Sequence, residues 1–136
     1  MVVLDEIGRT SFDLLHERAR RRRWREGDPA VTYCVFDLLV QNNASTMELP
    51  LIDRKTLLSA LILESAPSSV LYARHISSED CDAPVTWLFE HALTLQLEGV
   101  VGKLADSPYL PGQRSPLWFK LKRPGAVPPD RFRRKR

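Results

Sequence analysis

Two stretches of the sequence, Leu97-Glu-Gly-Val-Val-Gly-Lys103 and Leu117-Trp-Phe-Lys-Leu-Lys122, decide how the carboxyl-terminal half folds. Each is a short run with β-branched or aromatic residues, which predicts a strand. Residues 107–116, which lie between them, include three prolines and a glycine and predict a loop. Because residues two apart on a strand share a face, Lys120 and Lys122 are expected to point the same way.

The rest of the sequence predicts an α+β fold with antiparallel sheets flanked by helices. Strand and helix patterns do not alternate in strict βαβ order, which disfavours a parallel sheet. The expected elements are an apolar stub at residues 2–4, a helix from Ser11 into the arginine run, a strand over 30–40, a helix from Asp53, a strand over 70–75 and a helix from Pro84. The apolar spacing predicts these buried stripes: Leu57, Leu58, Leu61 and Ile62 in the second helix; Val85, Leu88, Phe89, Ala92, Leu93 and Leu95 in the third.

Composition limits the class of protein. The 136 residues, 43% of them apolar, are enough for one domain with a core. No apolar run approaches the roughly 20 residues that span a bilayer, so no membrane association is expected. The N-terminus lacks the basic and apolar regions of a secretory signal. Cys34 and Cys81 have no metal-ligand spacing, so free thiols in a reducing cytoplasm are expected.

The positive charge is concentrated in two places. The net charge is +3, but residues 130–136 hold five basic residues and one acidic one, so the remainder is near −1. The second basic cluster is a run of six arginines: Arg18, Arg20, Arg21, Arg22, Arg23 and Arg25. Both clusters could contact phosphates, with affinity that falls steeply as salt rises. A solvated helix face and a disordered tail are the alternative interpretation.

Individual residues in the motifs each allow two interpretations. Phe36, within Tyr33-Cys-Val-Phe-Asp-Leu-Leu39, could stack on a base, which is worth roughly 1–3 kcal/mol, or belong to the core. Glu98 and Lys103 could serve a magnesium–phosphate site or form a salt bridge. Lys120 and Lys122, about 7 Å apart on a strand, could bracket a phosphate or be a chance pair.

Taken together and in this order, the motifs resemble the later motifs of the ATP-dependent DNA ligases. These enzymes are covalent nucleotidyltransferases, like the RNA ligases and mRNA-capping enzymes. The segments Leu49-Pro-Leu-Ile-Asp-Arg-Lys-Thr-Leu-Leu58 and Ser107-Pro-Tyr109 also resemble the family. The resemblance covers nearly the whole chain up to Lys122 and is closest to bacterial DNA ligases. It implies a partial adenylation domain over residues 1–123, followed by a basic tail over 124–136 that is expected to be disordered.

The resemblance also implies roles for single residues. Phe36 matches the aromatic residue that stacks on adenine, and Glu98 matches the carboxylate that helps bind the catalytic metal. Lys120 and Lys122 match the lysines that hold the nucleotide phosphates, and Lys103 is expected to face the same nucleotide cleft between sheets. Possible contacts to phosphate or DNA are assigned to Arg114, Arg131, Arg133 and Arg134. The implied small molecules are ATP and Mg²⁺, and the implied partner is nicked double-stranded DNA.

The implied function is sealing of DNA nicks through an adenylated intermediate, in DNA repair or recombination. In this family the reaction starts when a lysine in a Lys-X-Asp-Gly motif attacks ATP. The sequence holds no such motif, and Met1-Val-Val-Leu-Asp5 begins just after the place of a sugar-binding Glu. The 14 residues after Lys122 leave no room for the OB-fold that many ligases use. We therefore expect this chain alone to be inactive in the first step, because covalent catalysis requires its nucleophile.

Three hypotheses account for the missing lysine. The gene model starts too late, the gene is a decayed remnant, or the chain is a non-catalytic accessory that binds ATP, AMP or nucleic acid. An RNA ligase or a capping-type enzyme would share the same pocket, so DNA and RNA substrates both stay open at the level of sequence.

Overall fold

Helices and short strands are interleaved in the computed structural model, which describes residues 1–6, 10–21, 23, 25–65 and 67–126. The chain divides into two compact units, Met1–Arg74 and His75–Arg136. The elements of the first are β1 (Val2–Val3), α1 (Phe12–Arg20), β2 (Val31–Val35), β3 (Val40–Gln41), β4 (Ala44–Ser45), α2 (Leu51–Ser65) and β5 (Val70–Tyr72). Those of the second are α3 (Pro84–Thr94), β6 (Gly99–Lys103) and β7 (Trp118–Lys122). The predicted α+β class is confirmed.

The largest sheet lies in the first unit and has the strand order β1-β2-β5. β1 runs antiparallel to β2, with Val2 opposite Thr32. β5 runs parallel to β2, with Tyr33 opposite Val70, so the expectation of antiparallel pairing is wrong for these two strands. The physical reason is that α2 lies between them in sequence and provides the long crossover that a parallel pair requires.

The strand expected over residues 30–40 ends earlier, at Val35. Beyond it the backbone leaves the sheet, and both the side chain and the backbone of Thr46 bind its carbonyls. The hydroxyl of Thr46 donates to the carbonyl of Leu38 at 2.6 Å, and the Thr46 N–H donates to the carbonyl of Leu39. β3 and β4 then form a small hairpin whose turn residues, Asn42 and Asn43, have φ of 49° and 63°. Positive φ at both central positions is what a tight hairpin turn demands.

The first helix begins as predicted, because Ser11 is its N-cap and accepts a hydrogen bond from the Leu14 N–H at 3.3 Å. It ends at Arg20, so it includes only the start of the arginine run. The helices described here include none with the length and apolar character needed to cross a bilayer.

The buried stripe of α2 differs from the predicted one. Its buried members are Leu51, Arg54, Lys55 and Leu58, spaced at i, i+3, i+4 and i+7. Leu61, which was expected to be buried, is 39% exposed. The buried stripe therefore lies nearer the N-terminus of α2 than predicted, and two of its residues are basic.

The second unit consists of α3 and the antiparallel hairpin β6–β7. Ala92 is buried on α3, and Leu88 and Phe89 are half-buried. The stripe is narrower than predicted, because Val85, Leu93 and Leu95 are exposed. The predicted strand over 97–103 begins at Gly99, whose φ is +149°. A Cβ at Gly99 would lie 2.1 Å from the carbonyl oxygen of Leu121, so this close approach of the two strands requires glycine.

Candidate functional site

The β6–β7 hairpin brings four of the predicted site residues together. Its register places Lys103 opposite Trp118, Val101 opposite Lys120, and Gly99 opposite Lys122. Directly opposite residues of an antiparallel pair share a face of the sheet, as do residues two apart on one strand. Lys103, Lys120 and Lys122 therefore project from one face, which we call the lysine face.

Glu98 immediately precedes β6 and contacts this face. Its Oε1 lies 3.3 Å from the Nζ of Lys122, and the two side chains are 57% and 48% exposed. The Glu98 carbonyl accepts a hydrogen bond from the Arg123 N–H at 2.9 Å, which extends the hairpin ladder by one residue. An ion pair this exposed contributes at most about 1 kcal/mol, so both groups can exchange partners when an anion or a cation arrives.

Lys103 has an aromatic neighbour. Its Nζ lies 3.9 Å from the ring centroid of Trp118, within the range of a cation–π interaction. The ring of Tyr109 meets Trp118 edge-on, with centroids 5.8 Å apart. Trp118 is half-buried. Its ring contacts the Lys103 side chain and also packs against Tyr109 in the loop that joins the two strands.

Phe36 lies in the first unit, at the residue following β2. Phe36 is 52% exposed, and its role in stacking on a base stays a prediction. The exposed ring offers a surface on which a planar base can stack.

Two buried basic residues of α2 form hydrogen bonds with Phe36 and with the residue that follows it. Arg54 has no exposed surface; its Nε and Nη2 donate to the two carboxylate oxygens of Asp37 at 2.8 and 3.0 Å. Its Nη1 donates to the carbonyl of Leu49 at 2.6 Å. The Nζ of Lys55 donates to the carbonyls of Ala73 at 3.0 Å and Phe36 at 3.4 Å.

The environment of Lys55 also affects its proton affinity. Burial lowers the pKa of the Lys55 ammonium below its usual 10.5, and the carboxylate of Asp37 opposes that shift. Its Nζ lies 4.7 Å from the ring centroid of Tyr72, whose own pKa is raised by burial.

Sequence reasoning missed Arg54 and Lys55 as buried residues that bind Asp37 and Phe36. The available signal was their position, because both occupy core positions of the α2 pattern that begins at Leu51 and repeats at Leu58. Charged residues are almost never fully buried without partners, so two of them in an apolar stripe indicate a polar network beneath the helix.

Comparison with known proteins assigns the chain to a family. The family of the ATP dependent DNA ligase domain matches residues 1–122. This chain is a member of the ATP-dependent DNA ligase family. DNA ligase 1 of Korarchaeum cryptofilum is 34% identical over 115 residues, which are 82% of this chain and 20% of that protein. The multifunctional non-homologous end joining protein LigD of Mycolicibacterium smegmatis is 32% identical over 121 residues, 89% of this chain and 14% of LigD.

The chain is also similar to a shorter ligase-like protein and to the crystal structure of a ligase domain. The SPbeta prophage-derived DNA ligase-like protein LigB of Bacillus subtilis is 30% identical over 121 residues, which are 89% of this chain and 41% of LigB. The crystal structure of the ligase domain from M. tuberculosis LigD matches with a TM-score of 0.68 and 28% identity, over 89% of this chain and 35% of that domain. This chain spans less than half the length of each of these ligase relatives.

The remaining residues predicted from the ligase resemblance fall in different places. Arg114 lies in the exposed loop between β6 and β7. Arg131, Arg133 and Arg134 lie outside the described residues. Phe36 belongs to one unit and the lysine face to the other, so a hollow shared by all of them stays a prediction.

The metal ion that ligase family membership implies would need oxygen or nitrogen donors from this chain. Within the described part of the chain, no three His, Cys, Asp or Glu side chains gather into a cluster able to hold a metal ion. Glu98 instead offers a single exposed carboxylate beside the lysine face. Mg²⁺ keeps several waters and is often bound by one or two carboxylates together with substrate phosphates. The donor set therefore fits a magnesium ion that binds with a nucleotide, rather than one held in a protein cage.

Proposed function

We propose that this chain is the nucleotide-binding part of an ATP-dependent DNA ligase that seals nicks in double-stranded DNA, in repair or recombination. The observation that carries the proposal is the lysine face, with three ammonium groups on one side of a hairpin and the Glu98 carboxylate beside it. Family membership and the printed names of the relatives support it.

The proposed roles follow from the chemistry of each group. Lys120 and Lys122 bind the nucleotide phosphates, since two like charges on neighbouring positions of one face are stabilised by an anion between them. Lys103, held by Trp118, adds a third positive charge to that face. Phe36 stacks on the adenine. Glu98 holds the Mg²⁺ that enters with ATP, and the ion would supply charge neutralisation at the phosphates.

The proposed organisation is a partial adenylation domain over residues 1–123 and a basic tail over 124–136. Arg114, Arg131, Arg133 and Arg134 are proposed to contact phosphate or DNA, with a strong dependence on salt. We also propose a cytoplasmic location, since Cys34 and Cys81 are both free thiols, which suits a reducing compartment.

A second candidate function is noncovalent binding of ATP or AMP without ligation. The lysine face and the exposed Phe36 support this candidate, because they provide groups for noncovalent binding and need no covalent step. These 136 residues contain no Lys-X-Asp-Gly, so on their own they are expected to form no lysyl-AMP.

The test measures binding and covalent labelling separately. Calorimetric titration with ATP and Mg²⁺ should detect binding, and the double variant Lys120→Met/Lys122→Met should bind at least about tenfold more weakly, because charged hydrogen bonds to phosphate are lost. The matched control is Thr56→Ala, an exposed position on α2. Unchanged affinity in the double variant would refute the phosphate-binding role.

Covalent chemistry is tested with α-labelled ATP, magnesium and denaturation before detection. We expect no label on the 136-residue chain, and acid-labile label retained on protein would overturn that expectation. Binding to nicked DNA is measured with and without residues 131–136. If DNA binding depends on these residues while ATP never binds, the chain is a nucleic-acid-binding module and the nucleotide proposal fails.

A further inference from the structure

We infer that Arg54 and Lys55 are positioning residues that fix the backbone beneath Phe36, so that its exposed ring is presented for base stacking. The inference rests on the proposed nucleotide site for its functional meaning. The structural part of the inference is that two buried cations determine the position of one exposed ring. It depends only on contacts within the first unit.

The backbone at Phe36 is bound by a side chain from α2. β2 ends at Val35, so the Phe36 carbonyl lies beyond the strand ladder and needs another partner. Lys55 supplies it, and the same ammonium binds the carbonyl of Ala73, the residue after β5. β2 and β5 are parallel, so both carbonyls lie at the carboxyl edge of the sheet. Lys55 therefore ties α2 to both strand ends at the point where the chain leaves the sheet.

Asp37, the next residue, is also bound by a side chain from α2. Asp37 receives two hydrogen bonds from the guanidinium of Arg54, and its Oδ1 also accepts the Leu38 N–H at 2.9 Å. The paired donation from a planar guanidinium constrains the carboxylate in direction as well as distance. With the Phe36 carbonyl and the Asp37 side chain both bound, the backbone on the carboxyl side of Phe36 is held from α2 at two points.

The buried contacts of Arg54 and Lys55 are suited to positioning the residue that they hold. Replacement of a buried ion pair by apolar residues of similar volume is often neutral or stabilising, so stability alone does not require charges at Arg54 and Asp37. The element that the two cations hold carries a ring that is 52% exposed. A contact surface for a ligand must be held within a fraction of an ångström, and buried hydrogen bonds behind it provide that constraint.

The test begins with the ring itself and needs no nucleotide. Para-fluorophenylalanine is incorporated at all phenylalanines, and the Phe36 resonance is assigned with Phe36→Leu. In Lys55→Met we expect this resonance to shift or broaden, while those of Phe89 and Phe119 in the second unit stay in place. Thr56→Ala is the control on the same helix. An unmoved Phe36 resonance in a folded Lys55→Met protein would overturn the inference.

The second measurement asks whether the position matters for a base. Affinities for ATP and for inorganic tripolyphosphate are measured in wild type, Lys55→Met, Phe36→Ala and the double variant. We expect Lys55→Met to weaken ATP binding by about fivefold or more, a share of the stacking energy, and to leave tripolyphosphate binding unchanged. In the Phe36→Ala background the same substitution should have no further effect on ATP, because its action passes through the ring.

The outcomes separate the two proposals. Equal losses of ATP affinity in both backgrounds would show that Lys55 acts only through general stability, and the positioning role would be rejected. Wild type that binds neither ATP nor tripolyphosphate would refute the proposed nucleotide site, and the fluorine measurement would still decide whether Lys55 places the ring. Arg54→Lys, which keeps the charge but loses the paired donation, should show a smaller displacement of the Phe36 resonance than Arg54→Met.

Discussion

Residues 36–39 and the β6–β7 hairpin hold the side chains of the proposed nucleotide site by opposite means. At residues 36–39 the backbone has left the sheet, and buried cations from α2 hold it in place. In the hairpin a five-residue ladder holds the backbone, and the charges are at the surface. Buried charge thus supports the backbone in one region, whereas in the other the charge is exposed, and we propose that it binds the nucleotide there.

This difference predicts how each region responds to substitution. Removal of a buried charge leaves its partner unpaired in a medium of low polarity, which costs folding energy. Removal of an exposed charge costs little folding energy, but it removes a group that a ligand would meet. Stability and binding should therefore separate between the two regions.

The largest effect is expected for Arg54→Met. It leaves the Asp37 carboxylate buried without its guanidinium partner, and the free energy of unfolding should fall by about 3–5 kcal/mol in urea denaturation. The exposed Arg20→Met serves as the control, with a change within about 0.5 kcal/mol. Adding Asp37→Leu to Arg54→Met should restore part of the loss, since no charge is then left unpaired. A double variant less stable than the single one would contradict the assignment.

A smaller effect is expected for Gly99→Ala, which tests the hairpin ladder. Its φ of +149° disfavours any other residue, and a Cβ would meet the Leu121 backbone at 2.1 Å, so a loss of about 1–3 kcal/mol is expected. Gly102→Ala is the matched comparison, since its Cβ would meet the ring of Phe119, which is 48% exposed and can turn away. Equal losses of thermal stability in the two variants would show that the backbone approach at Gly99 is unimportant.

The titration of Lys55 predicts a modest pH dependence. Because its folded pKa is below 10.5, the unfolded state binds more protons between the two values, and the free energy of unfolding rises with pH there. The penalty for burying the charged form is complete below the folded pKa and is removed as pH approaches 10.5. Wild type should therefore gain stability relative to Lys55→Met up to about pH 10; the raised pKa of Tyr72 acts in the opposite direction above it. A constant difference between the two proteins across this range would refute the assignment.

The smallest effect on stability is expected for Glu98→Gln and Lys122→Met. Both groups are about half exposed, so each substitution should change the free energy of unfolding by less than about 1 kcal/mol. Denaturation at low and high salt measures this, and the small effect should shrink further as salt screens the pair. A loss as large as that of Arg54→Met would remove the distinction between the two regions.

The sequence predicted much of the hairpin because its determinants are local. The alternating residues of β7 and the two valines of β6 predict two strands, and the prolines between them predict a loop. The alternation of side chains along a strand then requires Lys120 and Lys122 to share a face. The N-cap at Ser11 and the helix start at Pro84 were also predicted from neighbouring residues.

The first unit was less predictable because its determinants are distant in sequence. The end of β2 at Val35 depends on Lys55 and Thr46, which replace strand pairing with side-chain hydrogen bonds. Propensity alone extends the strand to Val40, since four of residues 36–40 are apolar and only Asp37 disfavours a strand. The buried stripe of α2 was also predicted wrongly, because a search for apolar residues does not include Arg54 and Lys55.

The parallel pairing of β2 with β5 has a consequence for the order of folding. Tyr33 and Val70 are separated in sequence by the whole of α2, so the pairing of β2 with β5 closes a long loop. Such non-local pairing forms slowly, and the chain exposes unpaired strand edges until it is complete. Lys55 bonds to both strand ends, so the docking of α2 and the closure of this ladder should occur as one cooperative event.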